Sequence, residues 1–201
     1  MISENNYSVI YSKKLASDVN ALVEGVSSEQ LFILTDEHTK IHCLPILQSE
    51  GAMKNAKVYT MPCGDHYKTI ETVVEIWKFL GENGGTRKSM LINLGGGVVT
   101  DLAGFLAGTF ARGVPFINYA TTLLAAADAS VGGKTAVDTP LATNLIGLFN
   151  QPKKVYIDIS TWSTLPKRQV ASGMAETIKH ACIANFEMFE FIEENLADIT
   201  S

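Results

Sequence analysis

The chain has 201 residues, of which 46% are hydrophobic and 18% are charged. That balance gives the chain a core to bury and excludes disorder as its main state. The formal net charge is −5 and no basic block occurs, so we expect neither a nucleic-acid partner nor a membrane surface. No apolar run approaches the roughly 18 residues that a membrane span needs.

The three cysteines, Cys43, Cys63 and Cys182, are odd in number, far apart and without CxxC spacing. This pattern disfavours a disulfide framework and a cysteine-type zinc site. We expect small buried thiols in a reducing cytosol. The first residues mix Glu, Asn, Tyr and Lys and lack the apolar core of a secretory signal, so we expect a cytoplasmic protein.

Short β patterns alternate with helical patterns along most of the chain. Alternating apolar residues predict an opening strand over residues 7–11, and Pro45 disturbs a helical pattern over 37–48. Thr69 is expected to cap the next helix, and small apolar residues predict a buried helix from Val98 to Arg112. Apolar runs predict further strands over residues 31–34, 58–61, 90–94, 116–119 and 155–158. Strands separated by helices favour the α/β class, with a mostly parallel sheet flanked by helices.

The pattern becomes wholly helical after Leu165-Pro166, with helices predicted over residues 167–184 and 186–197. We expect an α/β nucleotide-binding domain over residues 1–163 and the beginning of an all-helical domain over 164–201. A helical part of fewer than about 40 residues is too small to fold alone. We therefore expect the chain to be part of a longer protein.

Three consecutive glycines, Gly95, Gly96 and Gly97, lie between a predicted strand and a predicted helix. Free N–H groups and the helix dipole at such a position bind phosphates. The run is not GxGxxG, since Thr100 stands where the third glycine would be, and no GK[ST] of a P-loop follows. It indicates phosphate or dinucleotide binding, with a tight structural turn as the alternative.

Charged residues follow the glycines. Asp101 is either an acid that complements the helix dipole or a hydroxyl acceptor for a ribose or substrate. Arg112 is expected about three turns further along the same helix, where the dipole alone would favour it. Residues 128–135 are expected to form a flexible polar loop, in which Lys134 either binds a phosphate or carboxylate or is simply solvated.

The predicted helix over residues 167–184 carries a second candidate site. Glu176 and Lys179 are three residues apart, and Glu176 and His180 are four apart, so all three can share a face. A Glu/His pair at this spacing is a metal-ligand pattern or a solvated helix edge. His38, His42 and His66 show no ligand spacing.

Together these segments resemble the 3-dehydroquinate synthase family over residues 36–183. The motifs that carry the resemblance are Gly95-Gly96-Gly97-Val98 with Asp101, Arg112-Gly113, Thr121-Thr122-Leu123-Leu124, residues 128–135, Asn144-Leu145-Ile146-Gly147, residues 164–168 and Gly173-Met174-Ala175-Glu176 with Lys179. The resemblance implies a carbon–oxygen lyase of the shikimate pathway, which converts 3-deoxy-D-arabino-heptulosonate 7-phosphate (DAHP) to 3-dehydroquinate and phosphate. It also implies NAD as a transient oxidant of the C5 hydroxyl, Zn²⁺ or Co²⁺ as a Lewis acid, and a homodimer at full length.

The resemblance assigns a role to individual residues. Adenosine contacts are Asp36 and Asp65, with Lys68 nearby, and pyrophosphate contacts are Gly96, Gly97 and Val98. Asp101, Thr121, Thr122, Leu124 and Thr164 line the rest of the dinucleotide. The substrate residues are Arg112, Asp128, Lys134, Asn144 and Lys179. Glu176 is a zinc ligand, and its two histidine partners belong to a later helical region of the family to which no part of this chain corresponds.

The chain departs from the family pattern at several positions. Thr143 stands where the family usually has a lysine, and one lost charge-assisted contact costs roughly 1.5–3 kcal/mol. Ala120 replaces a usual proline, His38 replaces a polar adenosine contact, and Asp138 stands where many members have Asn. Two alternatives are a polyol dehydrogenase of the glycerol-dehydrogenase type and a non-catalytic nucleotide-binding fragment. We expect this chain to bind NAD weakly and not to release phosphate from DAHP.

Overall fold

The computed structural model describes residues 7–200, apart from the side chains of Leu15 and Thr200. Its central feature is a six-stranded sheet in which every neighbouring pair is parallel. The strands are β1 (Ser8–Tyr11), β2 (Leu31–Asp36), β3 (Lys57–Met61), β4 (Met90–Gly95), β5 (Phe116–Ala120) and β8 (Lys154–Ile157), in the order β1-β8-β5-β4-β2-β3. Two more strands, β6 (Lys134–Val137) and β7 (Ile146–Phe149), pair in an antiparallel hairpin.

Helices cover both faces of this sheet and continue the chain beyond it. They are α1 (Leu15–Leu22), α2 (Glu37–His42), α3 (Leu44–Leu47), α4 (Ile70–Glu82), α5 (Gly97–Thr109), α6 (Lys167–Ala184), α7 (Phe186–Glu194) and α8 (Leu196–Thr200). The prediction of an α/β fold with a mostly parallel sheet is confirmed. Within the described range, no helix combines the length and apolar character needed to cross a membrane.

The core lies on both faces because successive side chains of a strand point in opposite directions. In β2, Ile33 packs with Val19 and Leu47 on one face. Phe32 and Leu34 pack with Val73 and Leu80 of α4 on the other face, together with the apolar side of α5. β2, β4 and β5 are buried almost throughout, which explains their continuous apolar runs.

The capping residue and the proline seen in the sequence agree with where the helices begin and end in the structure. Thr69 Oγ1 accepts a hydrogen bond from Thr72 N at 3.3 Å, which caps α4 as expected. Pro45 stands in the first turn of α3, so the helical pattern over residues 37–48 divides into α2 and α3. The predicted helix over residues 167–184 matches α6, while the pattern over 186–197 divides at Asn195 into α7 and α8.

The expectation that Arg112 continues the helix of Asp101 is wrong. α5 ends at Thr109, and Phe110–Arg112 form a short 3₁₀ turn in which Ala111 and Arg112 have positive φ. Gly113 N donates to Phe110 O at 2.8 Å, and Val114 N donates to Ala107 O at 2.9 Å. These bonds turn the chain back towards β5, and the helix cannot continue through that reversal.

The expectation of a polar loop over residues 128–135 holds only for residues 130–133. Ala125–Ala129 form one π-helical turn, Ser130 is buried, and Gly132 and Gly133 turn the chain into β6. Thr135 Oγ1 donates to Leu148 O at 2.9 Å, so the hairpin has its own hydrogen bonds. β6 packs closely against α5, where a Cβ at Gly104 would lie 2.4 Å from Thr135 Cγ2.

The cysteines match the expectation only in part. All three are free thiols, but Cys43 is buried, Cys63 is half-buried and Cys182 is exposed. Burial, assisted by the charges of Asp36 and Asp158, raises the pKa of Cys43 to about 11. The description of small buried thiols therefore holds for Cys43 alone.

Candidate active site at the carboxyl edge of the sheet

The carboxyl ends of β4 and β5 meet at one edge of the sheet, where open α/β sheets bind their ligands. β4 ends at Gly95, and Thr121 N, just after β5, donates to Gly95 O at 3.0 Å. α5 then begins at Gly97, and the side chains of the described residues provide no cap for its first turn. The N–H groups of that turn therefore remain available to an anion.

The glycine run forms a narrow passage, here called the glycine cradle: Gly95–Gly97 with Thr122 and Ala129 beside them. A Cβ at Gly96 would lie 3.0 Å from Thr122 Cγ2, and a Cβ at Gly97 would lie 3.2 Å from Ala129 Cβ. Side chains at these positions would fill the space in front of the helix N-terminus. The predicted pyrophosphate residues Gly96, Gly97 and Val98 thus stand together at the start of α5.

The predicted dinucleotide residues beyond the cradle differ in their surroundings. Thr121 is buried and its Oγ1 has no hydrogen-bond partner among the described residues. Thr122 Oγ1 accepts from Ala125 N at 3.1 Å. Leu124 borders the cradle, with its Cδ2 3.8 Å from the position of a Cβ on Gly97. Thr164 is exposed, and its Oγ1 donates to Thr161 O at 3.3 Å.

The predicted adenosine residues lie at the carboxyl ends of the neighbouring strands. Asp36 ends β2, and its Oδ1 accepts from His38 N at 2.9 Å and Thr39 N at 2.8 Å, which caps α2. Asp65 follows β3, and its side chain is 91% exposed. β2 and β3 are paired neighbours, so both acids lie at the same edge. Asp36 is already engaged as a cap, whereas Asp65 is open to solvent.

Lys68 lies inside the protein rather than on this open edge. Its ammonium contacts Asp101 Oδ2 and Asn144 Oδ1 and lies 3.9 Å from Asp138 Oδ1. Burial raises the pKa of Asp101, and the neighbouring Lys68 opposes that shift. The structure thus brings together three predicted binding residues, Lys68, Asp101 and Asn144. We call these residues and Asp138 the Lys68 cluster.

A second group of polar side chains forms where α6 meets the π-helical turn. His180 Nε2 lies 3.3 Å from Asp128 Oδ1 and 3.8 Å from Glu176 Oε1, and the ligand atoms of the three residues lie within 4.8 Å of one another. Lys179 forms an ion pair with Glu176. One imidazole and two carboxylates are ligands that zinc and cobalt accept. We call Asp128, Glu176 and His180 the acid–histidine cluster.

The packing of α6 explains this proximity. A Cβ at Gly173 would lie 2.6 Å from Leu124 N and from Leu123 Cβ, so only glycine lets α6 approach this closely. Helical spacing in the sequence indicated that Glu176 and His180 share a face. Nothing in the sequence indicated that Asp128 joins them, since it comes from a distant segment.

The two remaining predicted residues are exposed cations. Lys134 begins β6 directly after Gly133, and Arg112 stands in the turn that follows α5. Neither forms an ion pair with any described residue. A helix of the length of α5 spans about 20 Å, so Arg112 lies far from the glycine cradle at its other end.

Comparison with known families decides what this arrangement belongs to. The family model described as 3-dehydroquinate synthase N-terminal matches residues 58–172, more than half of the chain. The chain belongs to the 3-dehydroquinate synthase family. The range matched to this 3-dehydroquinate synthase model includes the glycine cradle and the Lys68 cluster, while Glu176 and His180 follow soon after it.

Curated relatives agree with the family model. A 3-dehydroquinate synthase from Pseudoalteromonas translucida (strain TAC 125) is 40% identical over 195 residues, which cover 97% of this chain and 55% of the relative. One from Shewanella halifaxensis (strain HAW-EB4) is 42% identical over 205 residues, which cover 100% of this chain and 56% of the relative. The chain thus spans little more than half the length of these relatives.

Solved structures of related cyclases share the fold. A 2-epi-5-epi-valiolone synthase from Streptomyces hygroscopicus subsp. jinggangensis 5008, with NAD⁺ and Zn²⁺ bound, is 26% identical with a TM-score of 0.85, over 100% of this chain and 56% of that one. A 2-deoxy-scyllo-inosose synthase complexed with carbaglucose-6-phosphate, NAD⁺ and Co²⁺ is 28% identical with a TM-score of 0.73, over 85% of this chain and 48% of that one. The family resemblance seen in the sequence motifs is therefore confirmed.

Proposed function

We propose that this chain forms the nucleotide-binding part of a 3-dehydroquinate synthase together with the beginning of its metal and substrate region. The whole enzyme would be a carbon–oxygen lyase that converts DAHP to 3-dehydroquinate and phosphate. The observation that carries the proposal is the start of α5, which is lined by glycines and has no side-chain cap among the described residues. It lies at the carboxyl edge of the sheet, within the range that the 3-dehydroquinate synthase family model matches. The division into residues 1–163 and 164–201, a homodimer and a cytoplasmic location are parts of this proposal.

The glycine cradle fits the diphosphate of NAD. Bound NAD would supply a reversible hydride acceptor for a substrate hydroxyl. The first N–H groups of α5 would donate to the diphosphate, which the absence of side chains at Gly96 and Gly97 leaves accessible. Thr121 Oγ1, buried without a partner among the described residues, would gain one in the nucleotide. Asp36 and Asp65 would contact the adenosine, and Val98, Thr122, Leu124 and Thr164 would line the remainder.

The acid–histidine cluster fits a divalent metal by its donor set. Bound Zn²⁺ or Co²⁺ would act as a Lewis acid on a substrate oxygen. Glu176 is the ligand that the family resemblance assigns, and Asp128 and His180 stand beside it. The family's two histidine ligands have no counterpart in this chain, so we expect weaker metal binding here than in a full-length relative.

An exposed cation suits an anionic group of DAHP; Lys134 is the candidate within this chain, since Arg112 lies about 20 Å from the glycine cradle. Lys134 and Arg112 have no ion-pair partner among the described residues, so each can bind a carboxylate or phosphate without first breaking a contact. Asn144, Asp128 and Lys179 would hold the hydroxyls and the remaining charge. A polyol dehydrogenase acts on neutral alcohols and needs no such cations, so this arrangement favours a sugar phosphate.

A non-catalytic role is the second candidate for this chain by itself. It is favoured by one observation, that the chain spans 55% of the length of a curated relative. In that case the cradle would still bind NAD, while turnover would need groups that this chain does not contain.

Two assays on the 201-residue chain test these proposals. Calorimetric titration with NAD⁺ should show binding, and addition of DAHP with NAD⁺ and Zn²⁺ should release phosphate far more slowly than a full-length 3-dehydroquinate synthase does. Absence of NAD⁺ binding would contradict the nucleotide-binding proposal. Phosphate release at the rate of the full-length enzyme would contradict the expectation that this chain is incomplete as a catalyst.

A further inference from the structure

Two buried asparagines face each other in the middle of the sheet. Asn93 on β4 and Asn118 on β5 are paired in register, and both are almost fully buried. Their side chains point to the same face as those of Leu91 and Phe116, which share a core cluster with α5. A polar pair therefore lies within an apolar core, where an unpaired N–H or C=O group costs stability.

Hydrogen bonds continue from this pair to the segment that follows β5. Asn93 Nδ2 donates to Asn118 Oδ1 at 2.9 Å, and Asn118 Nδ2 donates to Ser130 O at 3.1 Å. Ser130 is buried, and its N–H and Oγ donate to Ala125 O at 3.0 and 2.7 Å. Ser130 thus closes the π-helical turn Ala125–Ala129 and is bonded to the sheet through its carbonyl.

The hydrogen bonding of the pair is incomplete. Asn93 Oδ1 is buried and has no hydrogen-bond partner among the described residues. Such an acceptor lowers the stability of the folded state, and leucine side chains would fill a similar space without that cost. Two leucines could not supply the bond from Asn118 to Ser130 O. This comparison favours a role of the pair in geometry over one in stability.

Ser130 lies next to the segment that carries a residue of the acid–histidine cluster. Val131 N donates to Asp128 O at 3.0 Å, so the end of the π-helical turn and the backbone of Asp128 are held together. The Asp128 carboxylate lies 3.3 Å from His180 Nε2. Single π-helical turns are rare and frequent at functional sites. Because one residue separates Asp128 from Ser130, a shift of the Ser130 carbonyl moves Asp128 relative to α6.

We infer that Asn118, oriented by Asn93, is a positioning residue that fixes the π-helical turn and thereby places Asp128 in the acid–histidine cluster. Its amide acts through the Ser130 carbonyl and not on a ligand. This inference deepens the proposed function and rests on it for the metal that the cluster would bind. The centre of the sheet then sets the distance between the π-helical turn and α6.

A double-mutant cycle in Zn²⁺ affinity tests the inference. Calorimetry compares the unmodified chain with Asn118→Leu, Asp128→Asn and the double variant. If Asn118 acts through Asp128, each single substitution weakens Zn²⁺ binding about tenfold, and the double variant binds no more weakly than Asp128→Asn. Losses of affinity that multiply in the double variant would show that the two residues act independently and would overturn the inference.

Two further variants separate the amide of Asn118 from a general effect of substitution. Asn83→Leu is the matched control, because Asn83 Nδ2 also donates to a backbone carbonyl, Phe79 O at 2.8 Å, but at the end of α4. Its Zn²⁺ affinity should stay within about twofold of the unmodified chain. Asn93→Ala/Asn118→Gln keeps one amide, whose longer side chain extends into the space vacated at position 93. This variant should recover Zn²⁺ affinity to within about threefold, and an affinity as weak as that of Asn118→Leu would contradict a role of the amide.

Hydrogen exchange of the free protein gives an answer that does not depend on metal binding. Asn118→Leu should speed exchange of the Ser130 and Val131 amides, which close the π-helical turn, and leave the Val73 amide of α4 unchanged. If Asn118→Leu does not fold, Asn93→Leu/Asn118→Leu serves the same purpose, since it leaves no side-chain N–H of the pair unpaired. Unchanged exchange at both amides would overturn the inference. A chain that shows the exchange effect but binds no Zn²⁺ would contradict the proposed metal site and leave the positioning of the turn supported.

Discussion

Nucleotide binding depends most directly on the glycines at the start of α5, because they leave space for the diphosphate. Gly97→Val would place a branched side chain where even a Cβ lies 3.2 Å from Ala129 Cβ. We expect NAD⁺ affinity to fall at least about tenfold, while the loss of stability stays near 1 kcal/mol. Calorimetric titration and urea unfolding measure the two effects separately.

Gly81 offers a control for that substitution. It lies in α4, and a Cβ there meets nothing within 4 Å. Gly81→Ala should raise the free energy of unfolding by about 0.5–1 kcal/mol and leave NAD⁺ affinity unchanged. Equal losses of affinity in both glycine variants would show that the cradle has no particular role.

Removal of the buried hydroxyl of Thr121 is expected to stabilise the free protein and to weaken NAD⁺ binding. Its Oγ1 has no partner among the described residues, so Thr121→Val removes an unpaired polar atom at nearly constant shape. The free protein should become more stable by about 1–2 kcal/mol, while NAD⁺ affinity falls several-fold. Thermal unfolding with and without NAD⁺ should then show a higher Tm alone and a smaller shift on adding the nucleotide. A loss of stability in the free protein would show that the hydroxyl already has a partner.

Single residues were predicted well where the spacing within one element decides their position. Glu176 and His180 share a helix face because they are four residues apart, and the structure places them together. Asp128 was assigned to substrate, yet its carboxylate lies beside His180 because α6 packs on the segment before it. Lys68 was assigned to the adenosine edge, yet it is buried beside Asp101. Contacts between distant segments follow from packing, which the spacing of one segment does not reveal.

At the scale of elements, the meeting of α6 with the π-helical turn creates the acid–histidine cluster. Glu176→Gln removes one carboxylate charge, so we expect Zn²⁺ affinity of this chain to fall about tenfold or more. His66→Gln is the matched control because His66 lies on a distant exposed turn. Calorimetry with Zn²⁺ and elemental analysis after dialysis give the two readouts. An unchanged zinc content would count against Glu176 as a ligand.

Elements with clear apolar patterns, including the four-residue strands β1 and β8, were predicted within a few residues, whereas the β6–β7 hairpin was missed. β2, β4 and β5 are buried on both faces and therefore read as continuous apolar runs. The β6–β7 hairpin has four residues in each strand, and β7 is mostly exposed and contains Gly147. Such strands owe their formation to packing on α5, so no local periodicity predicts them.

At the scale of the molecule, the parallel sheet brings residues far apart in sequence to one edge. Asp36, Asp65, the glycine cradle and Thr121 all follow strands, and parallel strands end on the same side. The sequence pattern was sufficient to predict the fold class and the position of the glycine run between a strand and a helix, but not the strand order that brings these residues together. The hydrophobic core lies on both faces of the sheet, whereas the candidate site lies only at its edge. Substitutions at the site can therefore change ligand binding with little effect on the free energy of unfolding.

The stability of the whole molecule should fall at alkaline pH because of a thiol in that core. The pKa of Cys43 is raised from 9.0 to about 11 in the folded protein, so above pH 9 the unfolded chain loses this proton first. The folded state then binds more protons than the unfolded state, and the free energy of unfolding declines as pH rises from about 9 to 11. Cys43 should contribute roughly 1–3 kcal/mol to this decline. Urea unfolding at pH 8 and pH 10.5 under reducing conditions measures this decline. Cys43→Ala should reduce the decline. Cys182→Ala is the control, because Cys182 is exposed, and it should leave the decline unchanged. An identical decline in all three proteins would show that the thiol of Cys43 has no part in it.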